Sequence, residues 1–193
     1  MKRISLVLVM ATCCFAGANA QIAAGSLVSP ADSFNAMLSG KENQMMLLVK
    51  AMPAEKYGFA PSPAIFISSQ KTEYSGVKTF AALVIHVTQA NYAMGARLGG
   101  MKPDVDMASL TALKDKDQIV AALTGSFAFV HKAIGTMTVE NAFQSLNGPM
   151  TRATMAGSNI VHTADEYGQM VEYLRMSGVM PPPSGPPAPP KAK

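Results

Sequence analysis

Between Gln21 and Met180 apolar residues recur every three or four positions, the period of helices buried on one face. No stretch rich in Val, Ile, Thr and Tyr is bracketed by turn residues as a strand would be. The pattern predicts an all-α domain of four helices. The first starts at Ser29-Pro30-Ala31-Asp32, with Ser29 as N-cap, Pro30 at the first helical position and Asp32 completing a capping box, and runs to about Met52, where Pro53 stops it. Residues 53–72 carry Pro53, Pro61 and Pro63 and read as a long irregular connection. The second helix covers about Glu73 to Leu98, with Phe80, Leu83, His86, Val87, Ala90 and Met94 on one stripe and Gly99-Gly100 as its stop. A second long connection surrounds Pro103. The third helix, about Lys114 to Met137, aligns Ile119, Leu123, Phe127, Val130 and Ile134. A break at Gly148-Pro149 precedes the fourth, about Met150 to Ser177, ended by Gly178.

Helices of roughly 22 to 28 residues are about 33 to 42 Å long, a length that suits a four-helix bundle. The two long connections leave room for a crossover between neighbouring or parallel helices, so a simple up-down-up-down order is not implied.

The flanks differ from this domain. Lys2 and Arg3 precede an apolar run from Ile4 to about Phe15, and Ala18-Asn19-Ala20 is a small-x-small cleavage pattern, so residues 1–20 read as a secretory signal peptide. The run is shorter than the roughly 20 residues of a membrane span, and no span is expected after cleavage. Thr12 stands where a small residue would precede an acylated cysteine, which argues against a lipid anchor on Cys13 or Cys14. At the other end, residues 181–193 hold seven of the thirteen prolines and read as a disordered polyproline-type tail. The expectation is an exported protein, periplasmic or secreted, whose domain covers residues 21–180.

Removal of the leader changes the chemistry available. Both cysteines lie inside it, so the mature chain would have no disulfide and no thiol-based catalytic or metal site. The formal net charge of +4 falls to +2 without Lys2 and Arg3, and no basic cluster with interleaved aromatics is present, which excludes the usual electrostatic footprint of a nucleic-acid binder. A c-type heme would need a Cys-x-x-Cys-His motif that the chain lacks. The methionines at 45, 46, 52, 94, 155, 170 and 176 read as flexible core filler, with a methionine copper site the minor alternative.

Three histidines remain. His162 is followed four residues later by Glu166, a spacing that puts both on one helix face. Met155, His162, Gln169 and Met176, with Asn159, Glu166 and Tyr173, form a stripe with apolar ends, which points the His and Glu inward. Buried there, they cost several kcal/mol unless paired or metal-bound. His86 occupies the inward stripe of the second helix, so His86, His162 and Glu166 are the candidate ligands of a two-histidine, one-carboxylate site with open coordination positions. A structural alternative pairs Glu166 with His162, or with Arg152 or Arg175, on a partly solvated face. His131 has no carboxylate four residues away and reads as a surface or boundary residue. Asp115, Lys116 and Asp117 read as a solvated helix start.

The segments MPAEKYGFAPSP at 52–63, FAALVIHVTQANY at 80–92, SFAFVHKAI at 126–134 and HTADEYGQMVEYLRMSGVMPP at 162–182 carry a resemblance. With them the chain resembles the DinB-like (DinB/YfiT-like) superfamily of metal-dependent four-helix-bundle proteins. The resemblance implies a metal site made by one histidine of the second helix and two, four apart, on the fourth, which map onto His86, His162 and position 166. Here position 166 is Glu, a departure from the usual His that keeps a competent ligand. It also implies a divalent ion, Zn, Ni, Mn or Fe, and a small-molecule substrate of a hydrolase or thiol-dependent transferase, with Gln169 and Tyr173 as substrate-orienting candidates. The competing expectation is a non-catalytic exported binding or structural protein that has lost the site. Apolar, Met-rich helix surfaces leave room for a homodimer.

Overall fold

A computed structural model describes residues 22–183. The expected signal peptide, residues 1–20, and all but the start of the proline-rich tail lie outside the described residues. Four helices account for most of the rest: α1 (Pro30–Ala51), α2 (Phe80–Gly99), α3 (Lys116–Ile134) and α4 (Arg152–Met176).

Each helix begins where a side chain can take its first free N–H groups. Ser29 accepts from the Asp32 amide at 3.0 Å, but its own hydroxyl donates to the Asp32 carboxylate at 2.7 Å, so only one arm of the expected capping box forms. α2 starts seven residues later than expected: Gly76 sits at φ 75°, which breaks any helix begun at Glu73, and Thr79 then caps α2 by accepting from the Ala82 amide. Asp115 caps α3 and Gly100, in the left-handed region, ends α2. The reciprocal box is at α4, where Thr151 and Thr154 each accept from the other's amide, at 3.2 and 2.7 Å.

The expectation of a purely helical chain needs one correction. Before α4, β1 (Ser145–Asn147) and β2 (Met150–Thr151) form a small antiparallel hairpin around Gly148 at φ 55°. Strands of three and two residues are too short to show an alternating pattern, so no period could announce them. With α3 stopping at Ile134, the connection into α4 is also long, and this hairpin fills it.

Cross-helix contacts fix the directions. Lys116 at the start of α3 donates to the carbonyls of Lys50 and Met52 at the end of α1, while His131 near the end of α3 meets Asn35 near the start of α1, so α1 and α3 are antiparallel. Arg152 donates to the Leu98 carbonyl and Tyr173 to the Lys78 carbonyl, making α2 and α4 antiparallel as well. α2 and α3 run parallel, with Gly95 against Val130 and Gly99 against Ala133; a Cβ on Gly99 would stand 3.2 Å from the Ala133 Cα. These two glycines, four apart on one face, admit the α3 backbone. Because α2 and α3 are parallel, the connection 100–115 returns along the roughly 30 Å length of α2. The order is thus not up-down-up-down; α1 packs on α3 and α4, α2 packs on α3 and α4, and sequence neighbours α1 and α2 face each other diagonally.

The core between the helices is led by Leu38, Leu48, Phe80, Phe127, Met170 and Leu174, all fully buried. Met45, Met52 and Met155 are buried as expected of filler, whereas Met176 is at the surface. The α1–α2 connection is tied down by Tyr57, whose hydroxyl donates to the Val49 carbonyl at 2.7 Å and whose ring meets Phe80 edge-on; burial pushes its pKa up. Among the described residues no helix is long and apolar enough to cross a membrane.

Phe127 fills the centre and Phe143 is 79% exposed. Urea unfolding is therefore expected to show a loss of about 3 to 5 kcal/mol for Phe127→Ala and no more than about 0.5 kcal/mol for Phe143→Ala.

Candidate metal centre

The antiparallel pairing of α2 with α4 sets residues whose numbers sum to a nearly constant value opposite each other. Asn91 meets Asn159, and one to two turns further along His86 meets His162 and Glu166. The Nε2 atoms of His86 and His162 are 3.1 Å apart, and the Glu166 Oε1 lies 3.5 Å from the first and 3.7 Å from the second. These are the spacings of donors sharing one ion: bonds of about 2.0 to 2.2 Å at tetrahedral angles place ligand atoms about 3.4 Å apart. Among the described residues, these three form the group of ligand-type side chains whose donor atoms lie within 4.8 Å of one another.

The donor set also has the chemistry of a ligand set. Glu166 is buried, its Oε1 contacts are longer than hydrogen bonds, and its Oε2 has no partner. A buried carboxylate without a hydrogen bond is costly in a helical core, and a cation would compensate it. Burial lowers the His162 pKa, as does the neighbouring His86 to a lesser extent, against the opposing pull of Glu166. The neutral imidazole that results is the form that binds metals. His162 Nδ1 is buried without a partner, so no hydrogen bond among the described residues fixes the tautomer of this ring. The side chains are graded in access: Glu166 11% exposed, His162 21% and His86 40%, so the group opens to solvent on the α2 side.

The two residues expected to orient a substrate are placed differently. Gln169 is exposed, and the Tyr173 hydroxyl donates to the Lys78 carbonyl at 3.0 Å while its ring stacks edge-on with Phe59. Tyr173 thereby fastens the lead-in of α2 to the end of α4; its pKa is raised by burial first and by the Glu166 charge second. The stripe that grouped these residues drifts for a geometric reason. Seven residues fall short of two helical turns by about 20°, so Met155 is buried, His162 half-buried, Gln169 exposed and Met176 at the surface. The companion series Asn159, Glu166 and Tyr173 starts deeper and stays buried.

A polar seam beside the cluster was not anticipated. Asn159 donates to Asn91 at 2.8 Å, Asn91 to Ser126 at 3.1 Å, and Ser126 to the Leu123 carbonyl at 2.7 Å, linking α4, α2 and α3 through buried side chains. The available signal was Asn91 itself, a polar residue in the buried stripe Val84, Val87, Asn91, Gly95. His131 is half-buried, the boundary position expected, yet both its nitrogens are engaged, with Asn35 Oδ1 at 2.7 Å and Glu42 Oε2 at 2.9 Å. Those partners come from α1, beyond the reach of spacing rules within one helix. Arg152 and Arg175 do not pair with Glu166: the first donates to Leu98 and the second contacts Glu172.

No protein-family model matches the chain, and no curated protein matches it. Fold and cluster therefore define the molecule by class: a four-helix domain with one crossover, carrying two imidazoles and a carboxylate that can hold a metal ion between α2 and α4.

In metal-free protein the buried Glu166 carboxylate accepts no hydrogen bond that would offset its burial. Glu166→Gln is expected to unfold at the same urea concentration as the wild type or at a higher one. A loss above about 1 kcal/mol would show that the carboxylate is held by the protein alone.

Proposed function

We propose that the mature protein binds a divalent metal ion through His86, His162 and Glu166 and is an exported member of the DinB-like superfamily. The observation that supports this most directly is Glu166, a buried carboxylate accepting no hydrogen bond and facing two imidazole nitrogens at 3.5 and 3.7 Å. Three protein ligands leave positions for water or substrate, the composition of catalytic rather than closed structural sites. A bound ion, Zn, Ni, Mn or Fe, would supply Lewis acidity and lower the pKa of a coordinated water or thiol. Around it, His86 is the solvent-side ligand past which a small molecule enters, and the half-buried His162 and buried Glu166 form the fixed wall. The proposed activity is hydrolysis or thiol-dependent group transfer on a small-molecule substrate, with Glu166 as ligand, or as general base when displaced from the ion.

The 3.1 Å between the two Nε2 atoms equally suits a direct imidazole–imidazole hydrogen bond. Such a bond belongs to the competing reading, a non-catalytic exported helical protein in which the trio is an internal polar network.

Elemental analysis of protein purified from the exported fraction without chelator separates the two. Near-stoichiometric metal is expected in the wild type, falling to background in both His86→Ala and Glu166→Ala and retained in Glu166→His. Re-adding the ion at 100 times its dissociation constant should stabilise the wild type by about 2.7 kcal/mol and neither alanine variant. Background metal in the wild type would leave the non-catalytic reading. N-terminal sequencing of the same material is expected to begin at Gln21.

A further inference from the structure

Six residues beyond His86, Tyr92 emerges from α2 about 9 Å further along the axis and about 120° round it, on the side where α3 rather than α4 packs. There the return of the crossover connection over α2 and α3 encloses a cleft of about 410 Å³. Its apolar lining includes Phe129, Ala128, Met101 and Val105, and its charged lining is Lys102, Lys132 and Asp104. The volume lies within the range of small-molecule sites, and a mostly apolar lining with a few polar groups is their usual composition.

Three features single this cleft out. Tyr92 is 3% exposed, with its ring tilted against Phe129 at 5.3 Å, and its hydroxyl makes no hydrogen bond among the described residues. Burial, and secondarily Asp104, raises its pKa, so it stays a neutral donor. Gly125, in the middle of α3 where glycine is unfavourable, keeps the space beside that hydroxyl open: a Cβ there would lie 3.1 Å from the oxygen. Lys102 and Lys132 are exposed and make no ion pair or hydrogen bond among the described residues, and with Asp104 they leave the lining one positive charge in excess.

We propose that this cleft is a second binding site, separate from the α2–α4 cluster, for a small organic monocarboxylate with an apolar body. The body packs on Phe129, Ala128 and Val105, the carboxylate is held by Lys102 and Lys132, and the Tyr92 hydroxyl is the neutral donor. A single excess positive charge matches a monoanion, whereas a phosphate dianion would meet Asp104 without a counter-charge to spare.

The test is a titration of ¹⁵N-labelled mature protein with sodium benzoate, followed by amide shifts, with benzyl alcohol as the uncharged control. Saturable shifts at Gly125, Ala128 and Val105 are expected, with a dissociation constant in the high-micromolar to millimolar range. The double variant Lys102→Gln/Lys132→Gln should weaken binding by about tenfold and Tyr92→Phe by about threefold, benzyl alcohol should bind at least about tenfold more weakly, and His86→Ala should bind benzoate as the wild type does. Gly125→Ala, which favours the helix, should weaken binding with the fold intact. Absence of saturable shifts at the cleft, equal binding of benzyl alcohol, or loss of benzoate binding in His86→Ala would each overturn the proposal. The last result would place the carboxylate at the α2–α4 cluster instead.

Discussion

Polar side chains along the α2–α4 seam impose a demand that an apolar seam would not: each must find a partner in a place water does not reach. Asn91 and Asn159 meet it by pairing with each other and with Ser126, and Thr88 and Thr163 by donating to carbonyls on their own helices. Side-chain pairs of this kind hold two helices in one register, because a slip of a single residue would leave donors and acceptors buried and unpaired. With that register set, His86 has no choice of neighbour and faces His162 and Glu166. Asn159 Oδ1 is left without a partner, and at the histidine pair the shortfall is largest, since Glu166 accepts no hydrogen bond and its Oε2 and His162 Nδ1 lack partners.

The same helix supports two different environments because α2 has neighbours on both sides. Toward α4 it offers His86 and Asn91, toward α3 the glycines 95 and 99 and the ring of Tyr92. Close approach of α3 requires the glycines, and the parallel direction of α2 and α3 requires a connection that travels the length of the domain. That connection roofs the Tyr92 cleft, so the crossover, unavoidable for this topology, also builds this concave surface.

Much of this was legible in the residues, and the limits are physical. Helix number and stripes follow from apolar periodicity, and the i, i+4 pair His162 and Glu166 announces a shared face. The start of α2 was misplaced because Glu73 to Thr79 contains no proline to stop a helix, and only the left-handed backbone at Gly76 and the Thr79 cap decide it. The two-stranded hairpin was invisible because strands of three and two residues are too short to display a repeating alternation. Gln169 was grouped with His162 by a seven-residue count that a straight helix does not keep. His131 was recognised as a boundary residue, but its bonds to Asn35 and Glu42 depend on which helix lies alongside, information that resides in topology rather than in spacing.

The central claim is that His86, His162 and Glu166 act together on one ion, and X-ray absorption spectroscopy of zinc-loaded protein lacking residues 1–20 addresses it directly. A first shell with two imidazole nitrogens at about 2.0 to 2.1 Å and carboxylate or water oxygen at about 2.0 to 2.2 Å, reduced to one imidazole in His86→Ala, is the predicted result. A shell of oxygens alone, or one unchanged by His86→Ala, would contradict it.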